Sequence, residues 1–352
     1  MNRLDRYVLR HVLELTAVVG LALVAIYTVV NFLAGLGETG QGDPGVGAVI
    51  EYSLLLVPSS LYILMPIVAL LGTLLGIGQL ARHGELTALR CAGVSLARIG
   101  GATLAAGLLL AVLTYALGDW LGPMGERLAA ELHESGHGKG ADVGKSRWLR
   151  DADRVVRIRQ LDAADHIREI TVYQLGPDGR LQAALAVDEG RYVDGHWRLS
   201  GVRRSDFGAD RIQVSRQAEV QIDGGISPKV LQLFILEAGS LSVPGLLRLI
   251  AYMDDNHLDA GKYRLLLWRR LVEPFTVMVM MLFAVPFVTG QLRDVGTGQK
   301  LLAGALVGIV FYVVNKVSVS LGDLYQWPAP LAAGVPTVLL ALYAGWRLQR
   351  AA

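Results

Sequence analysis

The stretch His133-Glu134-Ser135-Gly136-His137 matches H-E-x-x-H. On a helix that spacing puts two imidazoles on one face for zinc, with the glutamate as general base. The chemistry requires helix through all five residues. Gly136 precedes the second histidine and Gly138-Lys139-Gly140 follows it, so the helix should fray or end there, and no third ligand is identifiable. Gly296-Thr297-Gly298-Gln299-Lys300 is not a P-loop, and the G-x-x-x-x-G-K-[ST] frame does not occur in the chain. ATP bound by that route is therefore excluded, and any energy input must come from a partner.

Three further groups combine charge with an apolar setting. Lys316, beside Asn315, sits inside a long apolar run. A lysine at mid-membrane costs roughly 2.5–3.5 kcal/mol on insertion scales, which either a polar cavity or an anionic head group would offset, as would snorkelling to the interface. Asn31, at the end of another run, is a weaker candidate of the same kind. Arg269, Arg270 and Glu273 have the i,i+3 and i,i+4 spacing of an internal ion pair. The segment Leu80–Arg98 supports a short amphipathic helix over Arg82–Ala92. Leu86 and Leu89 form its apolar stripe, Glu85 and Arg90 lie beside it, Gly93 stops it, and Ser95 can cap the next membrane helix. Such a helix suits docking into a partner's groove, or lying as a solvated connector on the lipid surface.

These residues hang on six apolar runs, near 12–34, 49–79, 99–122, 265–288, 301–321 and 329–346. Each can cross a hydrocarbon core of about 30 Å. The chain is 53% hydrophobic and 18% charged, with mean hydropathy +0.42. The net charge of +2 argues against a nucleic-acid partner. Arginine and lysine gather before the first run, between runs two and three, between four and five, and after the sixth. The opposite loops, 35–47 and 322–327, have none but hold Glu38, Asp43 and Asp323. The positive-inside rule then predicts cytoplasmic termini and an outside block over 124–262. The first run is too long for a signal peptide and should remain an anchor. Cys91 is the single cysteine, so no intramolecular disulfide can staple the outer domain.

That outer domain reads as all-β. Strand signals fall at 154–159, 167–175, 180–187, 190–193, 196–202, 211–215 and 218–222, with Asp194-Gly195 as a tight hairpin turn. Turn signals every 8–12 residues or so favour a sandwich, jellyroll or small barrel. Pro123–Leu132 should extend the third membrane helix, and Ser242-Val243-Pro244 should open a helix on the way out.

The stretches Leu4-Asp-Arg-Tyr7, Met65-Pro-Ile-Val-Ala-Leu-Leu-Gly-Thr-Leu-Leu-Gly76, Gly84-Glu-Leu-Thr-Ala-Leu-Arg-Cys-Ala-Gly93, Gly118-Asp-Trp-Leu-Gly-Pro-Met-Gly-Glu126 and Ala260-Gly-Lys-Tyr263 together make the chain resemble the permease subunits of the lipopolysaccharide export ABC transporter, the YjgP/YjgQ family, and most of all the LptG-type subunit. The resemblance spans essentially the whole chain. It implies transmembrane helices 1–3 within 1–123 with a coupling helix at 82–93, a periplasmic β-jellyroll with helical connectors at 124–262, and transmembrane helices 4–6 at 263–352. It further implies a bacterial inner-membrane location, pairing with an LptF-type permease, two LptB-type ATPases that carry the ATP and magnesium, an LptC-type single-span protein, and a periplasmic bridge. The chain itself would hold no cofactor and no catalytic residue.

By the same resemblance Arg82, Glu85, Leu86, Leu89, Arg90 and Gly93 belong to the ATPase-coupling helix, with Glu85 at the acidic position facing the ATPase. The first, second and fifth membrane helices would line a lipid cavity, the first with Leu23, Ile26, Tyr27 and Val30 and the fifth with Phe311 and Val314, to which the sequence adds Asn31, Asn315 and Lys316 as polar candidates. Relatives often carry basic residues near the outer ends of the first two helices. Here those places read Asn31-Phe-Leu-Ala-Gly-Leu-Gly-Glu38 and Val57-Pro-Ser-Ser-Leu61. Two other readings compete: a membrane-bound zinc hydrolase on His133, Glu134 and His137, and a mechanotransmitting permease of the FtsX/MacB type. The latter usually has four membrane helices, and six runs argue against it.

Overall fold

A computed structural model describes residues 3–38, 45–136, 147–151, 154–163, 166–176, 180–193, 196–207, 211–223, 241–256, 258–289 and 296–351. The helices are α1 (Arg3–Glu38), α2 (Gly45–Leu55), α3 (Val57–Arg82), α4 (Glu85–Cys91), α5 (Leu96–Ala116), α6 (Gly122–Gly136), α7 (Val243–Asp255), α8 (Gly261–Thr289), α9 (Thr297–Leu324) and α10 (Ala329–Ala351). A π-helical turn, Leu117–Leu121, joins α5 to α6. The strands are β1 (Arg147–Asp151), β2 (Arg154–Ala163), β3 (His166–Leu175), β4 (Leu181–Val193), β5 (His196–Phe207) and β6 (Ile212–Asp223). The chain divides into two units, Met1–His133 with Gly261–Ala352, and Glu134–Ala260.

In the helical unit, six helices among the described residues are long and apolar enough to cross a membrane, three before the β insertion and three after. Their core is α3, α5 and α8, with Leu70, Leu74, Ile77, Ile99, Ala106, Met280 and Ala284 fully or almost fully buried. The second apolar run is two helices rather than one. Leu56 ends the first, and Pro58 falls at the first turn of α3, where its missing N–H costs nothing. Pro66, Pro274, Pro286 and Pro336 lie inside helices, within α3, α8 and α10.

The other unit contains one six-stranded antiparallel sheet in the order β1-β2-β3-β4-β5-β6. The inserted domain is thus all-β in its sheet, as its sequence predicts. Its described strands run as a meander, and the second sheet of a jellyroll is not among the described residues. The expected short strands at 180–187 and 190–193 are one strand, β4, and those at 211–215 and 218–222 are one strand, β6. The cause is a crease. Ladder pairing lapses at Arg159 and Glu169, at Glu169 and Asp188, around Asp188 and Gly201, and at Gly201 and Ala218, while the register on either side is unchanged. Glu169 (φ 49°) and Gly201 (φ 67°) take left-handed backbone there. The crease switches which face β3, β4 and β5 bury. Ile170 and Val172 are buried on one side of it and Ile167 on the other; Leu185 and Val187 give way to Gly190, and Trp197 and Leu199 to Val202.

Candidate functional site

The segment between α3 and α5 is shaped by two glycines. Helix α3 ends at Arg82, and Gly84 at φ 76° turns the chain into α4. At the other end Gly93, at φ 84°, donates to the Arg90 carbonyl while Val94 donates to that of Leu89, both at 3.0 Å. That pair of bonds is a Schellman motif, which satisfies carbonyls that a helix end otherwise leaves unpaired. Ser95 then caps α5 by accepting from the Arg98 amide. The docking helix expected over Arg82–Gly93 is therefore shorter, Glu85–Cys91, about two turns. Arg82 belongs to the preceding helix, because only a left-handed residue at Gly84 lets the chain change direction.

The expected apolar stripe is also divided. Leu86 is buried in the helical unit's own core, and Leu89 is half-buried. Thr87, Ala88, Arg90 and Cys91 form the exposed face. Glu85 is engaged within the chain, since the Tyr7 hydroxyl donates to its Oε2 at 2.7 Å. Nearby, Arg98 Nε lies 3.2 Å from Asp5 Oδ1. Tyr7 and Asp5 lie in the Leu4–Tyr7 stretch, but these partners are 78 and 93 positions away, and no local spacing signals them.

The cavity candidates occupy two matching helix halves. Helix α1 buries Val8, Val12, Thr16, Val19 and Gly20, and no residue from Leu21 to Leu36 is buried. Helix α9 buries Lys300, Gly304 and Gly308, and none from Ile309 to Leu321. Both buried halves lie on α3. A Cβ at Gly72 would overlap Thr16, one at Gly76 would lie 3.1 Å from Val12 Cα, and one at Gly304 would overlap Leu74. The unburied halves contain Leu23, Ile26, Tyr27, Val30 and Asn31 on α1, and Phe311, Val314, Asn315 and Lys316 on α9. Leu23 and Phe311 pack partly on the core, whereas Ile26, Val30, Val314 and Lys316 are exposed. Lys316 makes no ion pair among the described residues. It stands eight residues, about 12 Å, from the α9 C-terminus.

Beside this region Arg270 is buried and lies 5.9 Å over the Tyr62 ring, a cation–π contact from α8 to α3, with Glu273 buried one turn further on. Thr276 and Thr337 share a hydrogen bond of 2.8 Å between α8 and α10. Sequence spacing pointed to the arginines and Glu273 but not to Tyr62. In the β unit a groove follows the crease. Arg159 pairs with Glu169 at 3.2 Å, and Arg203 approaches Asp188 at 3.9 Å, over a floor of Thr171 and Ala186.

Of the H-E-x-x-H stretch, the structure describes the backbone of His133–Gly136. Helix α6 is described over Gly122–Gly136, and His137 lies outside the described residues. Among the described residues no three His, Cys, Asp or Glu side chains gather as a metal site.

Six candidate spans in two sets of three, an all-β domain inserted between them, and a short capped helix in the loop between the second and third spans define a multi-pass membrane protein of the transporter-permease class. A family model for the lipopolysaccharide export system permease LptF/LptG matches residues 6–350, and the chain belongs to that family. It is similar to the lipopolysaccharide export system permease protein LptG of Escherichia coli K12, at 29% identity over 99% of this chain and 98% of that one. The LptG protein of Haemophilus influenzae is 28% identical over 99% of both chains. The zinc-hydrolase alternative finds no support in these relatives.

Proposed function

We propose that this chain is the LptG-type half of an ATP-driven exporter that takes lipopolysaccharide from the periplasmic leaflet of the inner membrane and passes it through the β domain to a periplasmic bridge. The observation that carries this reading is that all nine cavity candidates fall on the unburied halves of α1 and α9, while the other halves are packed on α3. Acyl chains would lie against Leu23, Ile26, Tyr27, Val30, Phe311 and Val314. Lys316, with Asn31 and Asn315, would meet a head-group phosphate. An LptF-type permease would close the cavity, and an LptC-type protein would join the two. The loop arginines support a topology with both termini and α4 in the cytoplasm and the β domain in the periplasm. Two LptB-type ATPases would bind ATP and magnesium and dock on α4. The chain would contribute no cofactor and no catalytic residue.

Mass spectrometry of the mildly solubilised complex tests the reading. One related permease, two ATPase copies and bound lipopolysaccharide are expected. A chain that copurifies with none of them would refute it. Lys316→Met keeps the length and removes the charge, so it should lower photocrosslinking to lipopolysaccharide several-fold. Unchanged crosslinking would remove Lys316 from the phosphate role.

A further inference from the structure

We propose that Tyr7 is a positioning residue for Glu85: its hydroxyl orients the carboxylate for the ATPase and ties the docking helix to the first membrane helix. The inference rests on the docking reading of α4. Two contacts hold α1 to the segment that carries α4. Tyr7 Oη donates to Glu85 Oε2 at 2.7 Å, on the residue that opens α4. Arg98 Nε reaches Asp5 Oδ1 at 3.2 Å, on the first turn of α5. The Tyr7 ring is aimed from its own helix, since it stacks on His11, one turn on, with centroids 6.1 Å apart and planes 15° apart.

Otherwise α4 is lightly held. It is seven residues long, Leu86 is its single buried side chain, and each end turns on a left-handed glycine. The Tyr7 hydrogen bond is therefore a principal side-chain tie between α4 and α1. A carboxylate has about four acceptor sites on two oxygens. Tyr7 occupies one on Oε2 and leaves Oε1 for a cation on the partner. A partner thus meets a glutamate already held in one orientation, so less side-chain entropy is lost on docking. A pull on Glu85 is also a pull on Tyr7, hence on α1, whose first half is locked to α3 and whose second half carries the cavity candidates.

Two substitutions separate these roles. Tyr7→Phe removes only the hydroxyl and leaves the Glu85 charge. Glu85→Gln keeps an oxygen for Tyr7 and removes the charge. The assay uses the assembled complex in lipid, measuring ATPase retained, ATP hydrolysed, and lipopolysaccharide released per ATP. Tyr7→Phe should weaken ATPase retention roughly 3- to 10-fold and lower lipopolysaccharide released per ATP. Glu85→Gln should lose retention further, and Tyr7→Phe combined with Glu85→Ala should match Glu85→Ala alone, because Tyr7 acts through the acceptor oxygen at position 85. Tyr7→Phe with wild-type retention and wild-type yield per ATP, in a complex that Glu85→Gln still disrupts, would overturn the role of Tyr7 alone. So would losses that simply add in the double variant. If neither Glu85→Gln nor Arg90→Glu affected ATPase retention, the docking reading would fall and the inference with it.

Discussion

Replacing Gly93 with alanine isolates a backbone cost at the end of α4. A Cβ at Gly93 would meet nothing within 4 Å, so the methyl group itself finds room. The φ of 84° remains, and an L-residue in that region pays about 1–2 kcal/mol. In a long helix this cost would be shared with many contacts. Helix α4 has seven residues, too few to be stable by itself, so the penalty should appear as local opening of α4. At 1–2 kcal/mol, the open population should rise about 5- to 30-fold.

Hydrogen exchange read by mass spectrometry on a peptide covering 85–94 measures this directly, because the Ala88 and Ala92 amides are bonded within the helix. Where reclosing is fast, exchange follows the open population. Gly93→Asn should recover much of the protection, since asparagine tolerates the left-handed region. Exchange in Gly93→Ala that equals wild type, or that rises equally in α3 and α5, would refute the argument. So would alanine and asparagine variants that behave alike.

In the sheet, Gly201→Ala should cost more than Gly93→Ala, because a Cβ there would also come within 2.9 Å of Asp188 Cγ. The added Asp188→Ala change should relieve only the steric part, read as exchange across β4 and β5. Acid should loosen the same sheet through Glu189. Its carboxyl lies below the ordinary 4.5 chiefly because of the His166 hydrogen bond, with Arg191 adding to it against some desolvation. A lowered folded pKa means that the stabilisation is present above the unfolded value and is lost as pH falls through the folded one. Glu189→Gln should therefore flatten the acid limb of β3–β4 exchange below about pH 4.5. An unchanged limb would assign the acid sensitivity to other groups.

The membrane architecture was legible in the sequence because its cause is crude: about 20 apolar residues for about 30 Å of hydrocarbon. The break at Leu56 was not, since the residues on both sides of it are equally apolar and only Pro58 marks the new start. In the β domain, alternation identified the strand positions but cut β4 and β6 in two. Strand β4 changes which face it buries where it crosses the crease, and to a period-2 reading that phase change looks like an end; β6 buries no residue from Ile212 to Gln221, so alternation has no buried face to follow there. The end of the short helix α4 is legible from Gly93 and Ser95, whose capping chemistry is local, yet its start is not, since Gly84 has no such signature. The contacts that tie α1 to this segment join residues far apart in sequence and were invisible for that reason.

The two halves of α1 differ because of residue size along one stripe. The positions facing α3 run Val8, Val12, Thr16 and Gly20, against Gly76, Gly72 and Val68. Small residues at helical spacing let two backbones approach closely, which is how helices hold together in lipid, where apolar surface alone gives no drive to associate. Continued at the same spacing, the stripe meets Leu23, Tyr27 and Asn31. All three are bulkier than glycine and each is only half-buried, so the close approach stops. Helix α9 follows the same rule, with Gly304 and Gly308 against α3 and Phe311 and Asn315 beyond. Both helices are therefore fixed on α3 at the end nearer α4, and leave Leu21–Leu36 and Ile309–Leu321 unburied. In a permease, this is where a lipid could be admitted without disturbing the α3–α5–α8 core.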